Sequence, residues 1–213
     1  VEQNHKGIEI EVSAQVHDMV RVDAALSLGT WEFGADAKGN YTEGDLSSQT
    51  EYLYALDGLK VGDMPQTAMV LGATVTPIEG LRIQALLNWY DDNYSDWDPA
   101  SRVVYDYGDD GDEGTGDNGE DDGVLSPAEL AYADRAQVWD APSYAKIDVH
   151  AYYDIPVQLG STKLQAFIHI FNLFDETYIQ DAVDNSQYNG WGGTSHDADN
   201  AEVFLGTPRY INA

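Results

Sequence analysis

From Ile8 onward apolar and polar side chains alternate: Ile8, Ile10, Val12, Ala14 and Val16 on one side, Glu9, Glu11, Ser13, Gln15 and His17 on the other. A period of two over that length predicts a β-strand with one dry and one wet face. After a short break at His17-Asp18-Met19 the alternation resumes, with Val20, Val22, Ala24, Leu26 and Leu28 set against Arg21, Asp23 and Ser27. The two runs read as a hairpin. A second hairpin is predicted from about Thr67 to Thr76, through Pro77-Ile78-Glu79-Gly80, and back along Leu81, Ile83, Ala85, Leu87 and Trp89. Pro77 and Gly80 suit a tight turn there. A third begins near Tyr144, where Ala145, Ile147, Val149, Ala151 and Tyr153 oppose Lys146, Asp148, His150 and Tyr152. It turns between Pro156 and Ser161 and returns along Leu164, Ala166, Ile168 and Ile170. A seventh strand is expected to begin at Val203 and to be cut off at Ala213.

The connections separate two readings of this pattern. Short turns alternate with long excursions, roughly 29–66, 90–143 and 172–202, so every short turn falls at one end of the sheet. Compact soluble domains seldom carry structureless loops of that length. Outer-membrane barrels pair short periplasmic turns with long outward loops. Strands longer than the usual five or six residues, and aromatics such as Trp89, Tyr90, Tyr152 and Tyr153 placed at strand ends, point the same way. The expected fold is all-β: an antiparallel transmembrane β-barrel with long extracellular loops, of which this chain supplies about seven strands. A soluble β-sandwich would show the same alternation with its apolar face turned inward, and it stands as the alternative.

Composition narrows the function. The 213 residues include 38 acidic and 10 basic side chains, for a net charge of -28. Such a surface repels a phosphate backbone, so no nucleic-acid partner is expected. The absence of cysteine removes disulfide frameworks and thiolate chemistry. No stretch approaches the ~20 apolar residues of a membrane helix, and Val1-Glu2-Gln3-Asn4-His5-Lys6 is not a signal peptide. No nucleophile elbow, phosphate loop or dinucleotide fingerprint occurs, and carboxylate pairs in so acidic a chain arise from abundance alone. The chain is therefore not expected to be an enzyme.

Candidate chemistry lies in the second excursion. In the register of an EF-hand loop, Asn118, Glu120 and Asp122 take positions 1, 3 and 5, and Gly123 takes the sharp turn. Val124 offers the backbone carbonyl, Ser126 the ninth position and Glu129 the closing bidentate carboxylate. A hard divalent cation needs six or seven oxygens, so calcium is the candidate cofactor. A solvated acidic loop that holds nothing specific is the competing reading. Ser126-Pro127-Ala128-Glu129 also resembles a helix start, with Ser126 capping and the helix running to about Arg135. Tyr188 and Trp191, in a Gly-rich stretch, are candidate ligand-contacting residues at a loop tip, or incidental aromatics on a flexible one. Among the histidines, His5, His17, His150, His169 and His196, no close metal spacing occurs. His150 and His169 fall on the wet faces of adjacent strands and are expected to approach each other as hydrogen-bonding groups.

Several stretches resemble the C-terminal half of TonB-dependent outer-membrane receptors, especially forms common in Bacteroidetes. They are Asn4-His5-Lys6-Gly7-Ile8-Glu9, Met64-Pro65-Gln66-Thr67, Thr76-Pro77-Ile78-Glu79-Gly80-Leu81 and Asn93-Tyr94-Ser95-Asp96-Trp97-Asp98-Pro99. Pro142-Ser143-Tyr144-Ala145-Lys146-Ile147-Asp148, Phe171-Asn172-Leu173-Phe174-Asp175-Glu176-Thr177-Tyr178 and Phe204-Leu205-Gly206-Thr207-Pro208-Arg209-Tyr210 complete the set. The resemblance implies that residues 1–213 are part of a barrel of about 22 strands, with an extracellular insert at about 91–142. It also implies a plug domain and the end of the last strand outside this sequence. By the same resemblance, the partners are outer-membrane lipid, the plug, the TonB complex and a small nutrient ligand such as a siderophore, cobalamin, glycan or peptide. The location is the bacterial outer membrane, with Glu9, Glu11, Lys146 and Asp148 lining the lumen or contacting the plug. The alternative function is a soluble extracellular calcium-binding β-sandwich or binding module.

Overall fold

The computed structural model describes the chain apart from residues 43–48, 112, 117, 118, 121 and 189–194. In chain order the strands are β1 (Gln3–His17), β2 (Val20–Phe33), β3 (Ala37–Thr42), β4 (Gln49–Tyr54), β5 (Thr67–Ile78), β6 (Leu81–Asp91) and β7 (Asn93–Tyr94). They continue with β8 (Val103–Val104), β9 (Asp140–Ala141), β10 (Tyr144–Leu159), β11 (Thr162–Phe171), β12 (Ile179–Asp184), β13 (Ala201–Leu205) and β14 (Tyr210–Asn212). A short helix, α1 (Pro127–Ala131), lies in the second excursion.

The long strands form one open antiparallel sheet in the order β1-β2-β5-β6-β10-β11-β14. Its register places like faces in rows that cross all seven strands. Ala14, Val22, Ala73, Ala85, Val149, Ile170 and Ile211 stand opposite one another in turn. In the adjacent row stand Gln15, Arg21, Thr74, Gln84, His150, His169 and Asn212. A slip of one residue in any strand would break both rows, so the binary pattern fixes the pairing. Register irregularities fall between Gln15 and His17, Val75 and Ile78, and Ile155 and Gln158. All three lie at the short-turn end. There Gly80 and Gly160 take positive φ, and bonds from the Thr76 amide to Met19 and from the Asp154 amide to Gly80 stitch neighbouring turns together.

Among the described residues, no second layer covers the apolar face. Ile8 is 64% exposed, Leu71 41% and Ile211 56%. The buried apolar side chains among the described residues are Phe33, Ala55, Leu56, Leu59, Trp97, Val104, Val138, Ala141, Tyr178 and Ala182. Phe33 ends β2, and the others lie in the excursions or their short strands. A β-sandwich would bury its sheet face and leave its loops in water; this chain does the reverse.

The expectation of structureless excursions is corrected. β3, β4 and β8 form a small sheet, β7 pairs with β9, and β12 pairs with β13, because scattered apolar residues in these segments find one another above the main sheet. The seventh strand is corrected too: 201–205 pairs with β12, and the chain joins the main sheet only at β14. Tyr152 and Tyr153 lie well inside β10, opposite Phe167 and Ala166. The helix predicted to reach Arg135 stops at Ala131, with Tyr132 capping it.

The strand end at Asn172 has a clear cause. Asn172 has φ 50° and Asp175 φ 58°, left-handed positions that Asn and Asp tolerate. The Asn172 side chain donates to the Glu176 and Thr207 carbonyls and accepts from the Glu176 amide, and Asp175 accepts from the Arg209 amide. The Asn-Leu-Phe-Asp segment thus reverses the chain and guides β14 alongside β11.

Candidate functional site in the outward loops

The three excursions meet above the same end of the sheet in a crown with its own core. Phe33, Leu56, Leu59, Trp97 and Val138 cluster there, and the Trp97 ring meets Phe33 edge-on at 5.2 Å. Gln66 ties the crown to the sheet: its side chain accepts from the Trp31 amide and donates to the Trp31 carbonyl, both at 2.9 Å. Arg135 forks onto Asp36 at 2.8 and 2.6 Å, and Asp36 also accepts from the Leu56 and Asp57 amides. The Arg135 hydrogen bonds pull the Asp36 carboxyl down to about 2 against the opposing effect of burial.

A chain of charges joins the second excursion to the third. Arg102 is fully buried, and its Nη1 meets Asp134 Oδ1 at 2.9 Å. Asp134 Oδ2 lies 2.6 Å from His196 Nε2, whose other nitrogen lies 2.5 Å from Asp184 Oδ2. Burial pushes the Arg102 guanidinium below its ordinary value, with Asp134 and Asp184 pulling the other way. Burial works to raise Asp134, but hydrogen bonds from His196 and the Ala136 amide hold it below the usual carboxylate range. The backbone repeats the link, since the Asp96 amide bonds to Ala182 and the Asp184 amide to Asp96.

This cluster has the residue types of a hydrolytic triad without its chemistry. Ser186 Oγ lies 3.0 Å from His196 Nδ1, yet both ring nitrogens already face carboxylates. The nitrogen beside the hydroxyl is the one that faces Asp184, and the other faces Asp134, so the ring lacks the triad arrangement of one nitrogen on the nucleophile and the other on its orienting carboxylate. The arrangement is a structural clasp.

A cleft of about 450 Å³ opens beside β8, lined by residues that include Tyr52, Tyr105, Asp106, Tyr107, Glu113 and Leu125. Tyr105 and Tyr107 stack at 4.9 Å with planes 6° apart, and Tyr52 meets Tyr105 edge-on. Glu51, on the same wall, is held by Lys38 at 2.6 Å. Aromatic faces beside carboxylates suit a neutral or cationic guest.

The residues proposed for calcium are placed as follows. Asn118 lies outside the described residues. Glu120 accepts from the Gly114 and Gly116 amides, and Asp122 from the Val124 amide at 2.7 Å. Val124 is exposed. Ser126 and Glu129 form a capping box, as the Ser-Pro-Ala-Glu segment predicts. Glu129 is buried, and hydrogen bonds from the Ser126 and Gly108 amides hold its carboxyl below the usual range. Both its oxygens are thus engaged by the start of α1, and calcium in the EF-hand register would have to draw it out. Among the described residues, no three His, Cys, Asp or Glu side chains form a group suited to a metal ion. Tyr188 is exposed at 74%, and Trp191 lies outside the described residues. Sequence reasoning missed Arg102, Asp134, Asp184 and His196 as a unit, since no spacing along the chain brings them together.

No family model matches the sequence, and no curated protein matches it. Among solved structures, the siderophore receptor PiuA from Acinetobacter baumannii is similar, with a TM-score of 0.52 at 16% identity. The match covers 98% of this chain and 21% of that receptor. The ferric-catecholate import receptor Fiu from E. coli K12 aligns with a TM-score of 0.39 at 14% identity, over 98% of this chain and 26% of Fiu. The first likeness is one of fold: this chain has the architecture of about a fifth of the PiuA chain.

Proposed function

We propose that this chain forms part of the wall and the outward crown of an outer-membrane receptor that takes up a scarce nutrient with the help of TonB. The observation that carries the reading is the uncovered apolar face of the seven-stranded sheet, set below loops that possess their own core. In water that face would be an aggregation hazard; in a bilayer it is the required surface. The fold likeness to PiuA supports the same reading. Siderophores, cobalamin, glycans and peptides are the candidate nutrient classes, and the acidic crown favours neutral or cationic members among them.

The test is deletion of the gene that encodes the intact protein, combined with membrane fractionation. The protein is expected in the outer membrane, and the mutant is expected to lose energy-dependent uptake of one nutrient class at low supply. Recovery of the intact protein as a soluble monomer outside the cell would overturn the proposal.

A further inference from the structure

His150 on β10 and His169 on β11 stand directly opposite each other on the wet face of the sheet. Their Nδ1 atoms are 2.8 Å apart, with ring centroids at 5.0 Å and planes inclined at 63°. Gln84 and Asn212 are the neutral neighbours in the same cross-strand row. Phe171 packs edge-on against His150 at 5.4 Å, and Tyr152 and Phe167 lie against His169 at 5.3 and 5.0 Å. Phe171 thus flanks the pair at one end along the strands, and Tyr152 and Phe167 flank it at the other, which holds both imidazoles in place.

The separation has a geometric meaning. Two cis ligands, each about 2.0 Å from a tetragonal metal centre, are about 2.8 Å apart, whereas a tetrahedral centre spreads them to about 3.3 Å. The observed distance fits the first case once small ring rotations turn both lone pairs onto one cation. We propose that His150 and His169 form a two-imidazole site for a tetragonal divalent cation, Cu2+ before Ni2+ and both before Zn2+. Asp148, two positions along the same face, does not complete it. Its Oδ1 accepts from the Asn172 amide at 2.8 Å and its Oδ2 from Asn88 at 3.1 Å, with Lys146 at 3.7 Å. The two imidazoles are the protein's nitrogen donors to the site, and water or donors of a cargo molecule would complete the coordination. The site rests on the strand pairing alone, and its failure would leave the uptake proposal intact.

The experiment uses the intact protein that carries this chain, purified in detergent and titrated with CuSO4. Electron paramagnetic resonance is expected to show one Cu2+ per chain coupled to two imidazole nitrogens. His150→Ala and His169→Ala should each weaken that binding at least ~10-fold, while His17→Ala leaves it unchanged and Zn2+ competes poorly. Copper bound with one nitrogen or none, or binding indifferent to His169→Ala, would show that the pair is only an N–H···N hydrogen bond. Should an alanine variant not fold, His150→Gln and His169→Gln, which keep a polar side chain on the wet face, are expected to show the same loss of nitrogen coupling, and full retention of it would overturn the proposal.

Discussion

His196 Nε2 stands 2.6 Å from Asp134 Oδ2, although 62 residues separate them in sequence. Below Asp134 lies the fully buried Arg102, and beyond His196 lies Asp184. This order, cation, anion, imidazole, anion, clasps the second and third excursions together. The buried Arg102 guanidinium is tolerated because the Asp134 carboxylate adjoins it.

Asp134→Asn removes the charge that both Arg102 and His196 face. We expect the crown to lose about 1–3 kcal/mol of local stability, with the seven-stranded sheet unaffected. Hydrogen exchange at the Asp96 and Asp184 amides, which hold the two excursions together, should accelerate by about 5- to 150-fold. Unchanged exchange at both amides would show that the clasp carries no load.

The Asp36–Arg135 fork gives the crown an acid limit. Asp36 is lowered from 3.8 to about 2, so its contribution to stability is complete above about pH 4 and is lost as pH falls toward 2. Protection of the Leu56 and Asp57 amides, which bond to Asp36, should decline across that window. In Asp36→Asn it should be lower throughout and flat with pH over the same range.

Calcium in the register 118–129 and the capping box exclude each other, because both need the Glu129 carboxylate. Binding there predicts that added Ca2+ accelerates exchange at the Gly108 and Ser126 amides, now bonded to Glu129. Glu129→Gln should abolish that response while keeping the cap, since Gln also closes a capping box. Amide protection indifferent to millimolar Ca2+ would leave Glu129 a helix cap alone.

Charge on the two faces of one strand should have opposite consequences. Leu71→Arg places a guanidinium on the apolar face, opposite Ala24 and Leu87, and should cost about 2–4 kcal/mol if that face meets the bilayer core. Thr74→Arg, on the wet face beside Arg21 and Gln84, should cost much less. Folded yield in the outer membrane, read by heat-dependent migration of the intact protein on a gel, compares the two.

The sheet was legible in the sequence because alternation persisted for ten or more residues in most strands, and because Asn172-Leu173-Phe174-Asp175 marks a reversal that only left-handed Asn and Asp make comfortably. The crown was not. Phe33, Leu56, Leu59, Trp97 and Val138 come from separate segments with no shared period, and their cluster is set by tertiary contact. The strand expected from Val203 was assigned to the main sheet, yet 201–205 pairs with 179–184, since an apolar run marks a strand and not its partner. Glu129 satisfied a cation-loop pattern and a helix-cap pattern at once, and the amides of Ser126 and Gly108 claim it.

The central claim is that the apolar face of the sheet meets lipid. Residues 1–213 hold no cysteine, so, with any cysteine elsewhere in the intact protein replaced, single cysteines placed from 68 to 75 can carry a spin label one position at a time. In membranes, labels at 69, 71, 73 and 75 should relax with dissolved oxygen, and those at 68, 70, 72 and 74 with a water-soluble nickel chelate. Labels on the odd positions shielded from both reagents, as in a closed soluble core, or open to the chelate, would contradict the account.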